Sequence, residues 1–383
     1  MTVKELAYAT QQALQAETAT QFKRAHIYEL LAACFHYKSY AAFCADAIFA
    51  PRLMLSRGVR IGGDWVSSRC VELGYSSATG ATVASVLPAL LAERRAGVIR
   101  LEDLVVHLRQ EFGYSAWQEN SIEDGDISDE EFDSQDLGAL GDSEWYESPI
   151  VLDGLGAAAN RGSATAHYAL ALIYSRDGDD IEEETAGDDY WYNQERNGRV
   201  LSGVEKEWAD AFRARLERES KYAFHLREAA RLGHQQALLD LADRFDDPAF
   251  FEQDAVAGTV EPSLAADVAE RMGRSTDARR WLTEAAKHGD VEAMRRLIED
   301  YDHGDLQACW TWLYLAELLG TDLAKDEYRA VHEEGSDYDD DVGGPMHAVG
   351  RDGVVLEPIL DEQDVEARHA AKELYDALVA TEE

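Results

Sequence analysis

The sequence predicts an all-α protein: an α-solenoid of helix-turn-helix repeats, preceded by a small helical domain and followed by a short C-terminal hairpin and a capping helix. The repeats rest on an alignment and a period, and the division of the chain rests on charge. Residues 155–174, 226–245 and 282–301 align without a gap. Each stretch begins with a leucine (Leu155, Leu226, Leu282) and continues with an alanine pair: Ala158-Ala159, Ala229-Ala230, Ala285-Ala286. Three positions after the pair stands a glycine: Gly162, Gly233, Gly289. Four-residue steps then bring an alanine (Ala166, Ala237, Ala293), a leucine (Leu170, Leu241, Leu297) and an aromatic (Tyr174, Phe245, Tyr301). A period of four, broken once at a glycine, is the pattern of two short helices joined by a turn. Such units cannot bury their apolar faces alone, so they stack. The charge is uneven. The net charge is −39, yet residues 1–110 hold 12 Lys+Arg against 9 Asp+Glu, so the other 273 residues carry −42.

In chain order, residues 1–112 are expected to form a domain that is helical throughout. Leu6, Ala9, Leu14, Ile27, Leu30, Leu31 and Cys34 are expected to face its core, and helices over 81–95 and 101–112 close it. Residues 113–148 read as an acidic linker. From 111 to 148 there are 13 acidic residues and no Lys or Arg, a composition that cannot offset the entropy of its own folding. Trp145 and Tyr146 are expected to pin its end. Residues 149–332 form the solenoid. A fourth, degraded copy follows the third, with Trp312, Leu313, Ala316, Gly320, Ala324 and Tyr328 matching Trp281, Leu282, Ala285, Gly289, Ala293 and Leu297. Successive glycines lie 71, 56 and 31 residues apart, so insertions separate the first three units. Residues 333–383 hold an acidic loop, a hairpin over 347–358 turning at Arg351-Asp-Gly353, and a helix over 364–379. That helix places Ala371, Leu374, Leu378 and Val379 on one side, as a cap for the open end of the stack.

The stretch Trp281-Leu-Thr-Glu-Ala-Ala-Lys-His-Gly-Asp-Val-Glu-Ala-Met resembles the helix-turn-helix of the Sel-one-like repeats, relatives of the tetratricopeptide repeats. Residues 227–245 and 161–174 resemble it too, and the resemblance covers about half of the chain, residues 152–332. It implies an α-solenoid with an adaptor or scaffold role and no catalytic residues. The long acidic insertions and uneven period depart from the family.

No other chemistry competes. Cys34, Cys44, Cys70 and Cys309 show no C-x-x-C spacing and sit in apolar helical pattern, as buried reduced thiols do. Asp337, Asp339 and Asp341 alternate like calcium-loop ligands, but such a loop needs Gly at its sixth position and Glu at its twelfth. Val342 and Ala348 stand there. There is no nucleophile elbow, phosphate loop or H-E-x-x-H, and the eleven histidines are scattered, with capping or surface roles expected for those near the repeat turns. The sequence is therefore expected to be non-enzymatic, without cofactor or metal. No apolar run is long enough for a membrane span or a signal peptide, and a chain this acidic is repelled by nucleic acid and anionic lipid. The expectation is a soluble, cytoplasmic protein with one or more protein partners. The acidity also admits a second class, a DNA-backbone mimic that titrates a nucleic-acid-binding protein. Mimicry needs carboxylates at phosphate-like spacing on a rigid face, whereas here many of them cluster in Gly-rich loops.

The partner face derives from helix geometry. In each first helix the leucine, the alanines and the residue before the glycine are expected to face the core. Positions two and six before the glycine point the other way, at about 100° per residue. That stripe reads Gly156 and Asn160, Arg227 and Arg231, Thr283 and Lys287, Tyr314 and Leu318. Three of the eight are basic, within an acidic region. Neighbouring acids such as Glu228 and Glu284 also offset these cations. The insertion aromatics Tyr190, Trp191 and Tyr192 are the second candidate.

Overall fold

Each repeat glycine adopts the left-handed backbone that ends a helix. In the computed structural model of the chain, φ is 87° at Gly162, 89° at Gly233, 91° at Gly289 and 93° at Gly320. The structure describes residues 1–51, 62–112, 145–175, 188–253, 260–332 and 347–382. At all four turns the same two backbone bonds close the helix. The glycine N–H bonds back three residues, to Ala159, Ala230, Ala286 and Glu317. The next N–H bonds back five, to Ala158, Ala229, Ala285 and Ala316. This double closure satisfies carbonyls that a helix end otherwise leaves open. The alanine accepting the longer bond is buried in every copy.

Packing divides the chain into two units, Met1–Leu238 and Leu239–Glu383. The first begins with α1 (Val3–Thr18), α2 (Arg24–Cys34) and α3 (Tyr40–Asp46). Thr2 caps α1: its hydroxyl accepts from the Glu5 N–H while the Glu5 carboxylate accepts from the Thr2 N–H, a reciprocal capping box. Then come β1 (Ala47–Pro51), α4 (Asp64–Glu72), α5 (Ser77–Glu93), β2 (Ala96–Arg100) and α6 (Leu101–Glu111). The strands correct the expectation of an entirely helical segment. β1 and β2 pair antiparallel, from Ala47 opposite Arg100 to Pro51 opposite Ala96. Ile48, Phe49, Val98 and Ile99 are all buried, and β-branched and aromatic side chains suit such a ribbon.

The first repeat, α7 (Pro149–Ala159) and α8 (Ala164–Tyr174), is followed by α9 (Asp188–Arg196) and the long α10 (Val204–Arg231). The expected separation between residues 1–112 and the repeats is not how this unit packs: α7 lies on β1 and α3, and α6 lies on α8. Gly154 allows the first approach, since a Cβ there would stand 3.1 Å from the Ile48 Cβ. Asp153 accepts from the Val3 N–H, 3.1 Å, and Arg109 donates to the Tyr168 hydroxyl at 2.7 Å. Tyr146 is fully buried against Phe112, as expected of the linker's end. The physical reason is that α7 and α8 carry apolar side chains on the flank that β1, α3 and α6 cover. The acidic stretches 113–144 and 179–184 lie outside the described residues.

The division between units falls inside α11 (Gln235–Phe245). The second unit continues with α12 (Pro262–Arg271), α13 (Ser275–Lys287), α14 (Val291–Arg296), a π-helical turn over Leu297–Tyr301, and α15 (Leu306–Leu318). Sequence alignment misses one hairpin, α12–α13. Its Gly273 closes α12 with the same two bonds, but Asp277 stands where the repeats carry alanine. At the π-helical turn the Asp302 N–H reaches back five residues to the Leu297 carbonyl. The buried Asp302 carboxylate accepts from Arg279 Nε, 2.7 Å, and Trp312 Nε1, 3.2 Å.

The fourth copy is only half a repeat. After Gly320 the chain forms β3 (Glu327–Val331) instead of a helix, and β3 pairs antiparallel with β4 (His347–Arg351). Tyr328 therefore lies in a strand, and the hairpin expected within 347–358 is replaced by this longer-range pairing. Gly353 packs on the Ala324 carbonyl, where a Cβ would come within 2.1 Å. The last helix, α16 (Asp361–Glu382), packs along α15 with Ala367 and Ala371 buried. Among the described residues no helix is long and apolar enough to cross a membrane.

Two outcomes are expected. Ala286 is fully buried, so Ala286→Arg should place an unpaired charge in the helix contact and lower the unfolding free energy by about 3 kcal/mol or more. Asn160→Arg, on an exposed position, should change it by less than about 0.5 kcal/mol; chemical denaturation measures both. A specific protease site introduced within 113–144 and then cut should leave the two pieces co-eluting on gel filtration, because α6–α8 and α7–β1 join them. Separation into two species would contradict that packing.

Candidate partner-binding surface

The stripe opposite the buried alanines is largely exposed, and its cations are locally paired. In the first unit Asn160, Arg227 and Arg231 are exposed while Gly156 is half-buried. Arg231 meets Glu228 one turn earlier at 2.8 Å. In the second unit exposed Lys287 meets Glu284 at 3.0 Å, and the half-buried Thr283 donates its hydroxyl to the Arg279 carbonyl, 2.7 Å. Exposed pairs of this spacing contribute little to stability, so a partner carboxylate competes for these cations at small cost.

Tyr314 is corrected. It is only 7% exposed because α16 lies over it. Its hydroxyl donates to Asp364 and accepts from Arg368 Nη2 at 2.8 Å. The Arg368 guanidinium stands 3.9 Å from the ring centre. Burial and the Asp364 bond push the Tyr314 phenol up to about 12. This residue fastens the last helix and offers nothing to a partner. Leu318, one turn on, remains 41% exposed.

The insertion aromatics sit on α9, which packs on α10. The Tyr192 ring lies 5.2 Å from that of Phe212, and Arg199 stands 4.7 Å from the Trp191 ring centre. Arg213 of α10 bonds both Glu195 and Asp210. Tyr192 and Trp191 therefore brace α9, while Tyr190 is 51% exposed.

Sequence reading missed the ring beside Arg227. Phe224 is 56% exposed on α10, flanked one turn away by Lys221 and Arg227. Beneath it, His167 of α8 and His225 of α10 meet with their Nδ1 atoms 2.9 Å apart. Burial, then the charges of His167 and Lys221, bring the His225 imidazole down to about 4. Burial also lowers His167. His234 is stacked on Tyr168 with ring centres 4.3 Å apart, and burial takes it to about 4 as well. His225 is half-buried between helices, which corrects the surface or capping role expected of it, while His234 does cap α11, its Nδ1 accepting from the Ala237 N–H at 3.3 Å. No local periodicity pairs residues 58 positions apart.

Two clefts share no lining residue with this stripe. One of about 620 Å³ is lined by Tyr37, Lys38, Asp64, Trp65, Arg69 and Glu72, with two cations facing two anions. Another of about 740 Å³ runs beside β3 and β4, past Lys325, Tyr328 and Arg329. All four cysteines are free and buried; burial pushes Cys34 up to about 12 and Cys70 and Cys309 to about 11, so they remain thiols at neutral pH. Among the described residues no three His, Cys, Asp or Glu side chains group as metal ligands. Asp337, Asp339 and Asp341 lie outside them. No family model, curated protein or solved structure matches the chain.

Proposed function

We propose that this chain is a non-enzymatic scaffold of the Sel-one-like repeat type, a solenoid that holds a protein partner on the exposed side of its first helices. The observation that carries this reading is the two-sidedness of those helices. Leu226, Ala229 and Ala230 are buried while Arg227 and Arg231 face solvent; Leu282, Ala285 and Ala286 are buried while Lys287 does. Basic groups held outward on a strongly acidic protein select for complementary charge and repel like-charged partners. The ligand class is a peptide with a carboxylate beside an apolar side chain, for which exposed Phe224 supplies an apolar contact. Four free, buried thiols suit a reducing compartment such as the cytoplasm.

The test is a peptide array in which Asp or Glu is placed next to Leu, Ile or Phe. Changing Arg227, Arg231 and Lys287 together to Ala should leave the helical circular dichroism intact and weaken the best peptides roughly tenfold at low salt. Binding that is undiminished by the triple change sinks this placement.

A further inference from the structure

We propose that His167 and His225 form a proton-operated latch between α8 and α10, which acid opens, releasing the C-terminal part of α10. The latch rests on helix packing and goes beyond the partner-binding reading, because it holds whether or not that face binds a peptide.

The geometry fixes how protons are placed. The two Nδ1 atoms are 2.9 Å apart, so one carries hydrogen and the other must accept it. The ring that donates can take a first proton at its free nitrogen and keep the bond. A second proton goes to the accepting Nδ1, where it removes the acceptor and sets two imidazolium ions in contact.

Few groups can neutralise that charge. On α10, Glu228 favours the charged rings, while Lys221 opposes charge on His225 and Arg231 opposes it on His167. Glu228 is itself bonded to Arg231. On α8, the Tyr174 ring stacks 5.8 Å from His225 and Lys221 lies over it. Glu147 and Arg218 act on Tyr174. On α7 only the Ala159 backbone reaches the pair, and Arg109 of α6 acts on His234. On α9, Glu195 is held by Arg213, about three turns of α10 away. Burial of the rings and the adjacent cations both favour the neutral forms.

Linkage sets the sign. A histidine whose folded pKa is lowered favours the native state fully above its unfolded value, 6.5, and that contribution is lost as pH falls toward the folded value, about 4 for His225. Phe224 packs edge-on to both rings, so the opened latch also displaces the exposed face of α10.

Hydrogen exchange of the intact chain, corrected for intrinsic rates, tests this at about pH 7.5 and about pH 5. Amides of residues 164–174 and 219–231 should lose protection about tenfold or more at the lower pH, while those of α13 and α15 keep theirs. A double change of His167→Phe and His225→Phe should abolish the loss. Equal protection at both pH values, or a loss that persists in the double variant, overturns the latch. Nuclear magnetic resonance titration of the wild-type imidazoles needs no variant. Both rings should titrate below the ordinary imidazole value of about 6.5, and either one titrating at or above it contradicts the proposal.

Discussion

The structure depends on a backbone constraint: each repeat's first helix must stop within one residue and turn back. Only a left-handed residue allows both closing bonds, and only glycine adopts that conformation without strain. Gly162, Gly233, Gly289 and Gly320 do so with nearly the same φ. The turn then orients the helix that it ends. It brings the alanine before the glycine into the interior, where a small side chain permits close helix approach, and turns the other side of that helix outward. The buried alanines and the exposed Arg227, Arg231 and Lys287 are thus two results of one turn.

That constraint explains which parts of the fold the sequence makes legible. A glycine with alanines before it and an alanine four residues after it predicts the turn between α7 and α8 and the end of α8 at Tyr174, because turn, closure and core face are all local, although α7 begins at Pro149, ahead of the aligned Leu155. The helix over 364–379 was legible for the same reason and is observed as Asp361–Glu382. Pairing over distance was not. β1 and β2 are five-residue strands separated by 44 residues, and Ala-Ile-Phe-Ala is too short to show a period. Gly320 closes α15 as a repeat should, yet the chain beyond it pairs with β4, and nothing near Tyr328 encodes that partner. Tyr314 holds a position that helix geometry alone turns outward, but α16 covers it. The candidate site was legible to the same extent: the outward positions come from periodicity, while Phe224 and the histidine pair depend on which helix crosses which.

Charge acts mostly at short range in this molecule. Despite a net charge of −39, arginines on the described helices meet carboxylates about one turn away or on the adjacent helix: Arg69 with Glu29 and Glu72, Arg296 with Asp267 and Glu270. Such pairs at the surface do little for stability. They do set the spacing of charge on each face, and on α10 they place paired charges around one exposed ring. Burial has the stronger effect where it acts on the histidines, because a desolvated imidazole has no cheap way to hold a proton.

The central claim, that left-handed glycine turns define the repeats, is tested most directly by making one chemical change at two places in the first repeat. Gly156 lies inside α7 with open space around its Cβ position, and Gly162 ends that hairpin's first helix at φ 87°. Gly156→Ala should raise the unfolding free energy by about 0.5–1 kcal/mol through helix propensity. Gly162→Ala should lower it by about 1 kcal/mol or more through forced left-handed backbone. Opposite signs in chemical denaturation are the result expected; equal effects, or a stabilising Gly162→Ala, would contradict the account.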